Sequence, residues 1–338
     1  MAERLRLGII GAGAVTQVGH LPALKRVKEV EVVGICDSDL PKARALATRF
    51  GVPDAWEDIE ELLDYEEGLD ALLICTPSHL HESHIQAALA AGLHVFVERP
   101  PALTSAATQK LIKVVQRRER VIMVGASHRY RPDVQQIRSF VQSGELGDVE
   151  SIRAWWFVAR TGRAGLGWRN RKELSGGGAM LDLGLTSLDL ALWLAGFPEV
   201  EQVMAIFPER GREKGGLEPS GTATLVIKGG VAIHLDVSWR FVGPGERFGL
   251  ALRASHGSAR INPLAIWKDF HGVPRDVASS GAHSRDTPFA LGLRAQWAHF
   301  VAAVRGDVPV PALQDQVTLL KVMEAIYQSA ETGRAVTV

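Results

Sequence analysis

The run Leu5-Arg6-Leu7-Gly8-Ile9-Ile10-Gly11-Ala12-Gly13-Ala14-Val15-Thr16 constrains this chain more than any other. It reads as a short apolar strand, a glycine turn and the first residues of a helix. A second apolar run, Val30 to Cys36, ends on Asp37. A tight strand-to-helix turn lets backbone approach a pyrophosphate, and the free N–H groups of the helix start receive its charge. An acid about two dozen residues downstream suits the hydroxyls of an adenosine ribose. Gly11, Gly13, Ala14 and Val15 are therefore candidate pyrophosphate contacts, and Asp37 is a candidate ribose ligand. Thr16 occupies the third position of the fingerprint, where a small residue is usual. Asp37 favours NAD over NADP, because its carboxylate would repel a 2′-phosphate and Ser38 puts no base directly after it.

The same alternation continues through the first third. Strands are predicted over 5–10, 30–36, 69–75, 94–98 and 121–125, with helices over 15–25, 41–50, 81–91 and 104–118. Such units imply a doubly wound α/β sheet, a Rossmann dinucleotide-binding domain over residues 1–127. The texture then changes. Helices over 133–142 and 179–194 flank an aromatic-rich strand over 149–158 and a polar loop over 162–172. Strand candidates follow at 200–207, 221–228, 231–240, 248–255 and 258–262, joined by turns such as Lys228-Gly229-Gly230 and His256-Gly257. Residues 128–338 thus read as an α+β substrate-binding and oligomerisation domain with a large, mostly antiparallel open sheet. Helices are predicted over 289–305 and 313–332, while 268–287 shows little pattern and reads as a mobile or crossing loop. Trp155, Trp156 and Phe157 make both faces of one strand apolar, which points to a homodimer or homotetramer through that sheet.

Bulk properties narrow the partners. A chain of 338 residues fits two domains. Lys plus Arg and Asp plus Glu both number 38, so no net charge draws it to nucleic acid or an anionic membrane. No run of roughly 20 apolar residues is expected to span a bilayer. Cys36 and Cys75 end apolar runs and read as buried hydrophobes in a reducing compartment. With no leader-like segment ahead of the first strand, a cytoplasmic protein is expected. His79, His81 and His84 lack neighbouring Asp or Cys ligands, so no metal site is expected.

Thr76-Pro77 ends one strand and Glu98-Arg99-Pro100-Pro101 another, at the edge where this architecture binds ligands. Together with the glycine turn and His81, these residues resemble the glucose–fructose oxidoreductase / inositol dehydrogenase / rhizopine-catabolism (Gfo/Idh/MocA) family. The resemblance extends through Arg129-Tyr130-Arg131-Pro132, Trp168-Arg169, Ser175-Gly176-Gly177-Gly178-Ala179-Met180-Leu181-Asp182-Leu183-Gly184 and Ser329-Ala330 with Gly333-Arg334. It implies NAD-dependent hydride transfer to or from a sugar- or polyol-like small molecule. It also implies cofactor contacts at Thr76, Pro77, His81, Glu98 and Arg99, and substrate contacts at Trp168, Arg169, Asp182 and Thr186. Two positions depart from the family pattern: Arg99 replaces its lysine, and Thr186 replaces its proton-transferring histidine. Arginine keeps the charge but does not shuttle protons, and a threonine hydroxyl is a poor acid or base.

Three routes around the loss remain open. Asp182, one helical turn before Thr186, can act directly or through water; His128, after the 121–125 strand, can supply an imidazole; or the substrate needs no proton from these positions. Arg160, Arg163 and Arg169 are further candidates for a polar substrate, and Trp168 for stacking on a sugar ring. Glu98 reads as an orienting anchor, and Gly176 to Gly178 as a tight helix entry or a close backbone approach. Dinucleotide binding without turnover and redox-neutral chemistry stand as alternative functions.

Overall fold

The computed structural model describes residues 4–65, 68–159, 167–208, 216–279 and 284–338. The chain divides into two compact units, Met1–Tyr130 with Phe289–Val317, and Arg131–Pro288 with Thr318–Val338.

In the first unit, six parallel strands are ordered β3-β2-β1-β4-β5-β6. They are β1 (Leu5–Ile10), β2 (Val30–Cys36), β3 (Asp54–Trp56), β4 (Ala71–Ile74), β5 (His94–Val97) and β6 (Ile122–Val124). The chain changes direction across the sheet between β1 and β4, the switch point beside which doubly wound folds bind ligands. Helices α1 (residues 14–24), α2 (Leu40–Phe50), α3 (Ile59–Leu63), α4 (His81–Ala90) and α5 (Ser105–Gln116) connect the strands. All four β4 residues are fully buried, which explains their uniformly apolar sequence. Side-chain oxygens stop the chain at helix starts: Asp39 accepts from Lys42 N–H at 3.1 Å, and Thr104 from Ala107 N–H at 3.1 Å. In α4, His84 Nδ1 lies 3.0 Å from Thr76 Oγ1. Burial, reinforced by His81 and His79, pushes the His84 pKa down to about 4.

Helix α8 (Pro288–Val304) belongs to this unit from Phe289 onward. Leu293, Trp297, Phe300 and Val301 join the core of Leu7, Ile9, Leu21 and Phe96, with the Phe96 and Trp297 rings stacked at 4.5 Å. The division at 127/128 expected from the sequence is therefore not how the chain is partitioned. A helix's periodicity shows that it has an apolar face, not which sheet covers that face.

The second unit holds nine strands in the order β14-β13-β12-β11-β7-β10-β9-β8-β15. These are β7 (Val149–Ala159), β8 (Val200–Ile206), β9 (Ser220–Ile227), β10 (Val231–Phe241), β11 (Arg247–Ala254), β12 (Gly257–Arg260), β13 (Ala265–Phe270), β14 (Val273–Asp276) and β15 (Val336–Thr337). Neighbours are antiparallel except β7 and β10. One face buries Ile152, Ala154, Leu225, Ile233, Leu235 and Leu250 with α6 (Pro132–Gln142), α7 (Leu185–Ala195) and the later part of α9 (Leu313–Thr332). The three consecutive aromatics split as expected. Trp156 meets Phe248 on the core side at 5.0 Å, while Phe157 stacks on Phe241 at 5.4 Å. Trp155 covers Gly249, where a Cβ would come within 2.2 Å of the indole.

Two expectations are corrected here. The stretch expected as loop from 268 contains the β13–β14 hairpin, closed by His271 and Gly272 at φ 55° and 83°. Two positive φ values in a two-residue loop match the right-handed strand twist, and the His-Gly pair was its sequence signal. Residues 280–283 of that stretch lie outside the described residues. The segment Lys172–Ala195 is long and apolar enough to cross a membrane, contrary to expectation, but 83% of its apolar window is buried inside the fold.

Trp297→Ala is expected to cost about 3–5 kcal/mol, measured by denaturant unfolding, because it empties the centre of the first core. His84 supplies a pH test. Its unfolded imidazole binds a proton near 6.5 and its folded one only near 4, so folding loses stability as pH falls through that window. His84→Gln is expected to flatten the drop in Tm between pH 6.5 and 4 relative to the parent.

Candidate active site

The β1–α1 turn is shaped by contact with the end of β4. Gly11 has φ +100°, and a Cβ there would sit 2.6 Å from the Cys75 carbonyl. Glycine is required both for the backbone angle and for the close approach. Gly13 instead faces open space, with Cys75 O 4.0 Å from where its Cβ would be. Helix α1 starts here, so its first amides have no intrahelical acceptor. Thr16 is fully buried, and its hydroxyl donates to Gly11 O, so the departure at the third position braces the turn. Asp37, at the end of β2, accepts from Ala12 N–H at 2.7 Å and from Asp39 N–H at 3.0 Å. Gly11, Gly13, Ala14, Val15 and Asp37 thus form one cradle, and its open front with oriented amides fits a dinucleotide.

The ends of β4 and β5 are tied by histidines. His81 Nε2 lies 2.8 Å from Thr76 O and its Nδ1 2.7 Å from Pro100 O. Both ring nitrogens are therefore spent on backbone carbonyls. His81 positions the Thr76-Pro77 and Arg99-Pro100 turns, and the expected direct polar contact with a cofactor is corrected on this point. Burial holds its pKa below the ordinary imidazole range, with the two carbonyls acting against that. His20, from α1, presents Nε2 to Glu98 Oε1 at 2.9 Å. Burial opposes charge on His20, while Cys75 and Glu98 favour it and would lift its pKa to about 10. The Trp297 indole, which can only donate, lies 3.1 Å from His20 Nδ1 and makes that nitrogen an acceptor. This contact decides the state: a neutral imidazole donating Nε2–H to an ionised Glu98. Burial alone would raise Glu98, but the His20 hydrogen bond and the nearby Arg99 bring its pKa down to about 2. Gly125 leaves room for this carboxylate, since a Cβ would lie 2.9 Å from Glu98 Oε1. Beside it, Arg99 Nη1 is buried with no hydrogen-bond partner. His128, in the turn after β6, is 5% exposed with its ring 5.7 Å from Phe289. Among the described residues, no three His, Cys, Asp or Glu side chains are grouped to hold a metal.

In the second unit, Asp182 is held from two sides. Trp239 Nε1 donates to Oδ2 at 3.0 Å, and Arg169 Nε lies 3.6 Å from Oδ1. Arg169 also covers the Trp168 ring at 4.4 Å, so Trp168, Arg169, Asp182 and Trp239 form one cluster. Asp182 lies in a π turn, Met180–Gly184, that leads into α7. Thr186, in α7, is 1% exposed and its hydroxyl has no partner. The glycine run is explained by Glu218, whose carboxylate accepts from Gly178 N–H at 3.1 Å, Met180 N–H at 3.0 Å and Tyr327 O–H at 2.6 Å. A Cβ on Gly178 would lie 2.3 Å from Glu218 O, and one on Gly177 2.2 Å from the Tyr327 oxygen. The three glycines are thus a helix entry clamped by a buried acid. Burial pushes the Glu218 pKa up, opposed by its three donors. Arg160 and Arg163 lie outside the described residues.

His20, Trp239, Trp297, Glu218 and Tyr327 were not read from the sequence as site residues. Each acts across a long separation, 277 residues for Trp297 and His20, where local pattern carries no signal.

Comparison with known proteins agrees with this geometry. Residues 5–126 match the Gfo/Idh/MocA oxidoreductase family model, described as an NAD-binding Rossmann fold, and residues 134–260 match its C-terminal domain model. A D-glucoside 3-dehydrogenase of Escherichia coli is 30% identical, over 98% of this chain and 97% of its own length. The crystal structure of GenD2 from gentamicin A biosynthesis, in complex with NAD, is 25% identical with a TM-score of 0.86, covering 100% of this chain and 97% of that one. Levoglucosan dehydrogenase, in complex with NADH and levoglucosan, shares the fold at a TM-score of 0.88 and 21% identity, over 99% and 100% of the two chains. With both units matched by models of one family and a full-length relative alongside, this chain belongs to the Gfo/Idh/MocA oxidoreductase family.

Proposed function

We propose that this enzyme transfers hydride between NAD and a carbinol or carbonyl carbon of a sugar-, polyol- or related hydroxy or keto substrate. The observation that carries the reading is the buried, unpartnered Nη1 of Arg99 at the carboxyl end of β5. A buried guanidinium N–H without an acceptor is costly, and a ligand oxygen would complete it. Gly11, Gly13, Ala14 and Val15 would receive the pyrophosphate, Asp37 the adenosine ribose, and the Thr76-Pro77 and Glu98-Arg99 turns the nicotinamide end. Bound NAD would supply the hydride acceptor and its reduced form the donor. The D-glucoside 3-dehydrogenase activity named for the Escherichia coli relative supports the substrate class.

The chain's own groups then divide the work. Arg99 acts by charge and directed donors, since its guanidinium does not release a proton near neutrality. Asp182, oriented by Trp239 and Arg169, accepts the substrate hydroxyl proton during oxidation and returns it during reduction. His128 is the second group proposed to exchange that proton. Thr186 Oγ1 donates to a substrate oxygen, and Trp168 covers the apolar face of a ring. Glu98 and His81 hold the Arg99 turn in place.

A homodimer or homotetramer through the open face of the nine-stranded sheet is proposed from Trp155 and Phe157, and from Met204 and Ile206, 39% and 60% exposed. Cys36 and Cys75 are unpaired, which supports a cytoplasmic location.

The test is label transfer. Aldoses, glucosides and cyclic polyols deuterated at each carbinol carbon are incubated with NAD, and deuterium is sought in the NADH formed. Transfer from one carbon position is expected. Arg99→Ala is expected to lower kcat/KM by about 10²–10³ and Asp182→Asn by about 10²–10⁴. Tight NAD binding with no label transfer from any substrate would leave binding without turnover as the function.

A further inference from the structure

Asp37 does not stand alone at the end of β2. Lys42 lies in the first turn of α2, whose start is fixed by the Asp39 cap and Pro41. Helical side chains lean toward the helix N-terminus, and this one reaches back over the cap. Its Nζ lies 3.1 Å from Asp37 Oδ2, with the lysine side chain 39% exposed and the aspartate 14%. The Asp37 carboxylate is thus fixed by two backbone amides and neutralised by one ammonium.

This changes what the acid can reject. An aspartate at this position excludes a 2′-phosphorylated dinucleotide by like-charge repulsion. Paired with Lys42, the acid presents no net charge, and a half-solvated ammonium with three donors sits beside it. Oδ1 has a single donor, so it can still accept a ribose hydroxyl. We propose that Lys42 is a specificity-determining residue: it lets the site bind NADP as well as NAD, by turning its ammonium from Asp37 to the 2′-phosphate. The proposal rests on the dinucleotide reading of the β1–α1 cradle.

Calorimetric titration of the full chain with NAD and with NADP tests it without turnover. The parent is expected to bind both. Lys42→Ala is expected to weaken NADP about tenfold or more, the scale of a charge-assisted contact, while changing NAD by no more than about threefold. Lys42→Arg should restore NADP binding. Raising salt should weaken NADP more steeply in the parent than in Lys42→Ala, because only the parent offers a cation to the phosphate. Parent protein that binds NAD but not NADP, or an unchanged ratio of the two dissociation constants in Lys42→Ala, would overturn the proposal while leaving the dinucleotide reading intact. Failure of the parent to bind either would overturn both.

Discussion

The hydrogen-bonded line from Trp297 through His20 to Glu98 is the contact on which the first unit's chemistry depends. It joins a helix from late in the chain, the helix that follows the glycine turn, and the end of β5. Each member fixes the next. The indole can only donate, so the imidazole must accept at Nδ1 and donate at Nε2, and Glu98 is kept ionised within a buried setting. The energetic weight lies in breaking the line, because removing one partner strands a buried polar group. Its consequence is positional. Glu98 precedes Arg99, and a carboxylate anchored from beneath leaves the neighbouring guanidinium one rigid place from which to act. His81 secures the same turn from its other side by gripping the Pro100 carbonyl.

The second unit solves a similar problem differently. There the backbone is anchored, through Glu218. A helix entry exposes several N–H groups at once, and one buried carboxylate satisfies two of them while taking the Tyr327 hydroxyl. The space for that carboxylate comes from glycine, which is why Gly177 and Gly178 tolerate no side chain. Four residues past Gly178, Asp182 faces the Trp239 indole rather than the interior. The entropic cost of consecutive glycines is thus offset by a fixed start for the turn that carries Asp182.

What the sequence disclosed follows from the range of each physical signal. The glycine turn, the strands of the parallel sheet and Asp37 are local patterns, and their positions held. Asp182, Trp168 and Arg169 were legible as candidates, and the structure gathers them into one cluster. The pairings that orient them were not legible, because Trp239 and Glu218 reach their partners only through the tertiary fold. The His271-Gly272 turn was legible and missed, since strongly polar flanks hid the two short strands of its hairpin. The home of α8 was not legible at all: Trp297 looks the same in sequence whether it packs on Phe96 or on the second sheet.

The two departures at Arg99 and Thr186 share a physical property that composition alone could not show. Each leaves a side-chain polar atom buried and without a partner. Folding by itself does not favour that outcome, since an unmet buried donor costs about 1–3 kcal/mol. A chain that had merely lost a lysine and a histidine could fill the same positions with apolar groups at no such cost. Retaining a guanidinium and a hydroxyl, each with an unmet hydrogen-bonding atom, is the arrangement of groups whose partner arrives from outside the protein. The cation supplies a fixed charge and the hydroxyl a directed donor, neither of which exchanges a proton near neutrality. Proton exchange is thereby separated from charge stabilisation and falls to groups such as Asp182, whose carboxylate is already oriented by an indole and an arginine.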